Sequence, residues 1–227
     1  LGDVYKRQAG IAVGTVSLPV LSKAFKNKNL KKLSNIQSKS FELSLLFSMP
    51  ASLGLILASE EIVNALFGYG SFSTEDVKLT GAALKYFGYG VPAFALIKIL
   101  SNFYFARDNT RTPFYISIFV VTTNIIISLS FFSKIGFIII PIATSISTWL
   151  GVFVYGYLLN EKNFLLLKID LIINFFKIFI STIIMSFILI LFLENFAGNL
   201  DYTYKYKAIY LITIVGFVGI VYLLLCY

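Results

Sequence analysis

The 227 residues are 58% hydrophobic and only 13% charged, with a mean hydropathy of +0.84 and a formal net charge of +8. Soluble domains carry about 25% charged residues, so the composition excludes an ordinary soluble domain and indicates an all-α integral membrane protein. With no histidine and one cysteine, Cys226, it also excludes Ser-His-Asp or Cys-His nucleophiles, disulfide frameworks and cysteine zinc clusters. The positive charge is assigned to cytoplasmic loops rather than to nucleic-acid binding.

The chain opens on LGDVYKRQ, a polar stretch without an initiator Met that resembles translated adapter sequence, so residues 1–8 are set aside as a non-native prefix. An apolar run follows from Ala9 to Leu21. At 1.5 Å per residue it covers about 20 Å, short of the roughly 30 Å hydrocarbon core. The expectation is a partial span over 9–22 in a chain cut at its start. Segment 23–39, KAFKNKNLKKLSNIQSK, holds six lysines and no acid, with Leu30, Leu33 and Ile36 at helical spacing. It reads either as an amphipathic helix on the anionic inner leaflet or as a positive-inside loop.

Six full spans are predicted at 42–66, 79–105, 113–133, 136–159, 170–193 and 208–227. Only SKIG separates 113–133 from 136–159, which predicts a tight helical hairpin. Pro50, Gly54, Gly81, Gly88, Gly90 and Pro92 are expected to break or bend the first two full spans. A softer boundary near residue 160 sets the last two spans, 161–227, apart from a bundle over 9–160. Loops 23–41, 106–112 and 160–169, with Lys177, hold eleven lysines and arginines. The opposite side holds five: Lys78, Lys85, Lys134, Lys205 and Lys207. The first set is therefore cytoplasmic.

Within that frame the polar residues at or inside spans are the informative ones. Lys98 lies in PAFALIKILSNFYF, where an ionised lysine costs roughly 2.5–3.5 kcal/mol on insertion scales. It faces a cavity or an anionic substrate, or it snorkels to the cytoplasmic interface. No acid sits deep in a span to pair with it. FYFARDNTRTP, residues 103–113, is a cytoplasmic elbow. The chain has 16 lysines but only three arginines, and Arg107 and Arg111 are both here. The planar guanidinium fork suits carboxylate, phosphate or helix-end carbonyls. Two readings stand: contact with a phosphate-bearing substrate, or a rigid elbow in which Asp108 pairs with Arg111, Thr112 is the N-cap and Pro113 occupies the first helical turn. Asn124 and Ser128 share a helix face, and Thr144 with Ser145, Ser147 and Thr148 lines the next span. These oxygens form either an Na⁺ site or interhelical hydrogen bonds.

Four stretches carry a family resemblance: GIAVGTVSLPVLSKAF (10–25), EEIVNALFGYGSFSTEDV (60–77), GYGVPAFALIKILSNFYFARDNTRTP (88–113) and IATSISTWLG (142–151). In this order and spacing the chain resembles the C-terminal half of the MurJ/MviN lipid II flippases, in the multidrug/oligosaccharidyl-lipid/polysaccharide exporter superfamily. The last two spans match by position and hydropathy only. The resemblance implies a two-lobe membrane protein of fourteen helices, entered here within the eighth. It also implies a multi-pass protein of the bacterial inner membrane, with no cofactor and no enzymatic reaction. The implied activity moves an undecaprenyl-pyrophosphate-linked peptidoglycan precursor outward by alternating access, with Na⁺ or membrane potential as coupling, and with the two extra helices offering a groove for the lipid tail. Implied partners are lipid II or a related polyprenyl-pyrophosphate lipid, membrane lipids, and the N-terminal half of the same protein. Phe105 and Pro141 depart from the family pattern. Competing readings are a polysaccharide-unit flippase or multidrug exporter of the same superfamily, a membrane-embedded polyprenyl-phosphate transferase, and a non-transporting scaffold.

Overall fold

The computed structural model describes residues 18–226, and all regular structure among them is helical. The prefix 1–8 and most of the partial first span therefore lie outside the described residues. Residues 18–26 form the helix α1. It is followed by α2 (Leu30–Leu57), α3 (Ser59–Phe67), α4 (Thr74–Gly88), α5 (Val91–Phe105), α6 (Arg111–Ile135), α7 (Ile139–Glu161), α8 (Asp170–Asn195) and α9 (Lys207–Cys226).

Two boundaries differ from expectation. Residues 30–39 are neither a loop nor a separate helix; they are the first turns of α2, which runs on into the membrane. The Asn29 side chain accepts the Lys32 N–H at 2.9 Å and starts the helix. Leu33, Gln37, Ser38 and Ser40 then turn inward and are buried. The 42–66 span is also two helices, because α2 stops at Leu57 and α3 begins after Ala58. Glu60 and Glu61 fall in the first turn of α3, where the helix dipole favours negative charge.

The 79–105 span breaks at Tyr89 and Gly90, with Pro92 in the first turn of α5. A break at membrane depth frees carbonyls that lipid cannot satisfy. Neighbouring helices supply the missing donors. Ser52 of α2 donates to Gly88 O at 2.8 Å. Ser145 of α7 donates to Tyr86 O at 2.7 Å, and Trp149 Nε1 to Tyr89 O at 2.9 Å. Three side chains from two helices therefore brace the kink.

The hairpin forms as expected. Gly136 ends α6 with φ +75°, a conformation that side chains other than glycine's adopt with strain. A single 3₁₀ turn, Gly136–Ile138, leads into α7. Pro141 falls in the first turn of α7, where its missing N–H breaks no helical bond. Five apolar helical stretches are long enough to cross a membrane, and one of them, Arg111–Glu161, folds back at Gly136. The result is six crossings after α1.

Two apolar clusters hold the bundle. One, near the elbow, joins Leu21 and Ala24 of α1 to Leu33 of α2, Phe103 and Tyr104 of α5, and Leu159 of α7. The other joins Met185 and Leu189 of α8 to Leu211, Ile214 and Val218 of α9, and reaches Ala65 of α3. The α3–α4 contact is close at Gly81: a Cβ there would lie 3.0 Å from Glu60 Cα and 2.8 Å from its Cγ. Backbone cannot yield as a side-chain tip can, so Gly81→Ala is expected to destabilise by about 1–2 kcal/mol. Thermal melting of the purified protein checks this; an unchanged midpoint contradicts the tight contact.

Candidate functional site

The elbow is built around Arg107, just beyond the C-terminus of α5. Its Nη1 donates to Phe103 O at 2.6 Å and its Nη2 to Phe164 O at 3.2 Å. The guanidinium carbon lies 4.3 Å from the Phe164 ring centroid and 5.1 Å from that of Phe25. Its Nε is buried without a hydrogen bond. Burial pushes Arg107 below its ordinary pKa, although guanidinium remains charged throughout the physiological range. Both acceptors present here are backbone carbonyls, one at the end of α5 and one in the linker after α7. One side chain thus ties together the end of α1, the end of α5 and the linker after α7.

That linker is held from a second side. Gln37 of α2 is fully buried; its Nε2 donates to Phe164 O at 2.9 Å and its Oε1 accepts Leu166 N–H at 2.8 Å. Ser38 Oγ accepts Lys168 N–H at 2.9 Å. Phe164 O therefore takes bonds from both Gln37 and Arg107. Gln37 carries a recognisable signal only in retrospect: it is an amide one helical turn after the inward-facing Leu33.

The other elbow residues sit differently. Helix α6 begins at Arg111, so Thr112 is not its N-cap but its second residue. The capping side chain is Asn109, whose Oδ1 accepts Thr112 N–H and whose Nδ2 donates to Thr112 Oγ1, both at 3.1 Å. Asp108 makes no ion pair with Arg111 among the described residues; it takes φ 56° and turns the chain. Pro113 is buried in the first turn of α6. Arg111 is exposed at that helix end.

Lys98 lies seven residues before the end of α5, about 10 Å along the axis. It is exposed, on a stripe with Phe94, Ser101 and Phe105. The opposite face of α5, with Leu96, Leu100 and Phe103, is buried in the core. Among the described residues no acid or hydrogen-bond acceptor meets its ammonium. The structure brings neither Arg107 nor the hairpin stripe onto this face.

In the hairpin, Asn124 Nδ2 donates to Thr144 Oγ1 at 2.9 Å, and Thr144 Oγ1 donates to Ile140 O at 2.7 Å. Ser128 Oγ is buried with no partner. The direct Asn124–Thr144 bond is an interhelical fastening. Between α2, α8 and α9 lies an apolar cavity of about 370 Å³, lined by Pro50, Ala51, Gly54, Met185, Leu189 and Val218.

At the far end, away from the elbow, a second knot escaped the sequence reading. Lys207, counted above as a loop charge, is 1% exposed. Its Nζ donates to Asn64 Oδ1 at 2.9 Å, Gly68 O at 2.6 Å and Tyr202 O at 2.8 Å. The rings of Tyr69 and Tyr202 flank it at 4.3 and 4.6 Å. Asn64 Nδ2 in turn donates to Leu200 O at 2.8 Å, and the Tyr202 hydroxyl to Phe72 O.

Comparison with known proteins places these features in a family. The model of the lipid II flippase MurJ family matches residues 9–211. A probable lipid II flippase MurJ from Rickettsia prowazekii is 30% identical over 91% of this chain and 40% of its own length. One from Thermotoga maritima is 34% identical over 84% of this chain and 38% of its own. A solved lipid II flippase MurJ in an inward closed conformation superposes with a TM-score of 0.72 at 29% identity, covering 94% of this chain and 42% of that one. The chain thus spans about two fifths of the length of these relatives, and it belongs to the lipid II flippase MurJ family.

Proposed function

We propose, from this membership, that the chain is the C-terminal lobe of a flippase for a polyprenyl-pyrophosphate-linked peptidoglycan precursor in the bacterial inner membrane. Residues 9–160 form the lobe and 161–227 two additional helices. The reaction is transport: the lipid changes leaflet and no covalent bond changes. The lobe works opposite an N-terminal lobe of the kind its relatives' greater length accommodates, and alternating access between the two carries the headgroup across.

The observation that carries this reading is Lys98. A cation held at mid-helix on an uncovered face, with no protein partner, is costly in lipid and gains most from an anionic ligand in a cavity. A pyrophosphate supplies that charge, and a second lobe supplies the cavity's other wall. Exposed Arg111 is the second cation available to the headgroup at the elbow side. Arg107 is not, because its fork is engaged with carbonyls and rings. The apolar cavity against α8 and α9 matches the chemistry of a prenyl tail, with no polar group to satisfy.

The test grafts this chain in place of the matching segment of a relative and asks whether flippase-depleted cells grow. Lys98→Ala is expected to lower lipid flipping about tenfold, the effect of losing one charge-assisted contact, at unchanged protein level. Lys98→Arg should retain most activity. Full flipping by Lys98→Ala would remove the lysine from the substrate path.

A further inference from the structure

We propose that the elbow-side mouth of the α2–α8–α9 seam is a binding site for a phospholipid with a phosphoethanolamine headgroup. It is separate from the Lys98 face and from the apolar cavity above. A cavity of about 270 Å³ opens there, with Glu42 and Leu46 of α2, Asn174 and Lys177 of α8 and Leu223 of α9 in its wall. Lys177 lies seven residues into α8, about 10 Å from the helix start at the elbow-side end of the crossing.

The two charges decide the ligand. Glu42 and Lys177 line one small cavity, yet among the described residues they form no ion pair, and neither has another hydrogen-bonded or charged partner. A half-buried carboxylate and an exposed ammonium, each without a protein partner among the described residues, suit a ligand that carries both opposite charges a short distance apart. A phosphoethanolamine group does. Its phosphate meets Lys177, with Asn174 three residues earlier on the same face as an added donor. Its primary ammonium donates to Glu42. A phosphoglycerol headgroup satisfies Lys177 but sets its negative charge beside Glu42. A phosphocholine headgroup carries the positive charge but has no N–H to donate. Leu46 and Leu223 form the apolar lower wall, suited to the glycerol and first acyl carbons.

Tyr222 is buried between α2 and α9 and donates to Leu46 O at 2.8 Å. Along α2 and α9 this bond falls between the lining of the charged mouth and that of the apolar cavity at Pro50 and Val218, and the two cavities share no lining residue. The site is accordingly a resident-lipid site where α8 and α9 meet α2, and it stands whether or not the flippase reading does.

The experiment exposes the purified chain in detergent to an equimolar mixture of phosphatidylethanolamine, phosphatidylglycerol and phosphatidylcholine with matched acyl chains, and reads retained lipid by native mass spectrometry. Phosphatidylethanolamine is expected to be enriched about fivefold over each of the others. Glu42→Gln should bring the preference over phosphatidylglycerol to about unity while phospholipid is still retained, which also shows that the variant folds. Lys177→Gln should lose retention of both phosphatidylethanolamine and phosphatidylglycerol, and Lys177→Arg should restore it. Equal retention of the three lipids by the unaltered chain overturns the proposal, as does an undiminished ethanolamine preference in Glu42→Gln or undiminished retention in Lys177→Gln.

Discussion

Replacing Lys207 with methionine is expected to destabilise the purified chain by about 3 kcal/mol, read as a lowered thermal or denaturant midpoint. Methionine matches the length of the lysine stem but donates nothing. Three acceptors then lose their partner together: the Asn64 amide oxygen and the Gly68 and Tyr202 carbonyls. Each unsatisfied buried acceptor costs about 1–3 kcal/mol, and partial rewetting at the membrane face returns some of that. The flanking tyrosine rings lose a cation held against their faces, worth roughly another 0.5–1 kcal/mol. The damage spreads because Asn64 also holds Leu200 O. Loosening of the α8–α9 connection is therefore expected to accompany the lower midpoint, seen as faster proteolysis near residues 197–206. An unchanged midpoint and unchanged proteolysis would show that the ammonium is not what closes this corner.

The second large effect is expected at Arg107. Arg107→Lys keeps the charge but replaces a planar fork with a point charge. Lysine can reach one of the two carbonyls, Phe103 O or Phe164 O, but cannot lie flat against the Phe164 ring while doing so. The loss is about 2 kcal/mol, one charge-assisted hydrogen bond and most of the stacking. In cells a change of that size lowers the amount of folded protein several-fold. In the full-length context the variant is thus expected to show reduced membrane level with transport per molecule unchanged. Quantitative immunoblotting beside a flipping assay separates the two quantities. Normal level with lost transport would make Arg107 a substrate contact instead of a fastening.

Much of this architecture is legible from hydropathy. Runs of Ile, Leu and Phe mark the crossings, SKIG marks the hairpin, and the lysine-rich loops share one end. The kink between α4 and α5 is legible in Gly88, Gly90 and Pro92. Hydropathy misleads where polar residues are buried. Residues 30–39 read as outside because they carry lysines, yet Leu33 and Gln37 face the core of a continuous α2. Lys207 reads as a loop charge, yet it is the centre of the far-end knot. Thr112 lies inside α6, whose N-cap position is Thr110, and its N–H is taken by Asn109 from one residue before the cap. The bracing of the kink by Ser52, Ser145 and Trp149 is illegible for a different reason: each donor is 36 to 60 residues from its acceptor. Of the candidate site, the cations were visible as residues; which were engaged and which were free depended on partners far along the chain.

The Phe164 fastening also has an order in time. Gln37 and the linker that satisfies it are 127 to 129 residues apart, and Asn64 and Lys207 are 143 apart. At 5–20 residues per second, synthesis leaves the Gln37 amide without its final partner for about 5 to 20 seconds after α2 is made. In that interval water or the translocation machinery must serve the amide, since lipid cannot. Helix α2 is therefore threaded well before its buried amide can settle. A chain truncated after α7 but short of residue 164 would present α1 to α7 with Gln37 still lacking its linker partners.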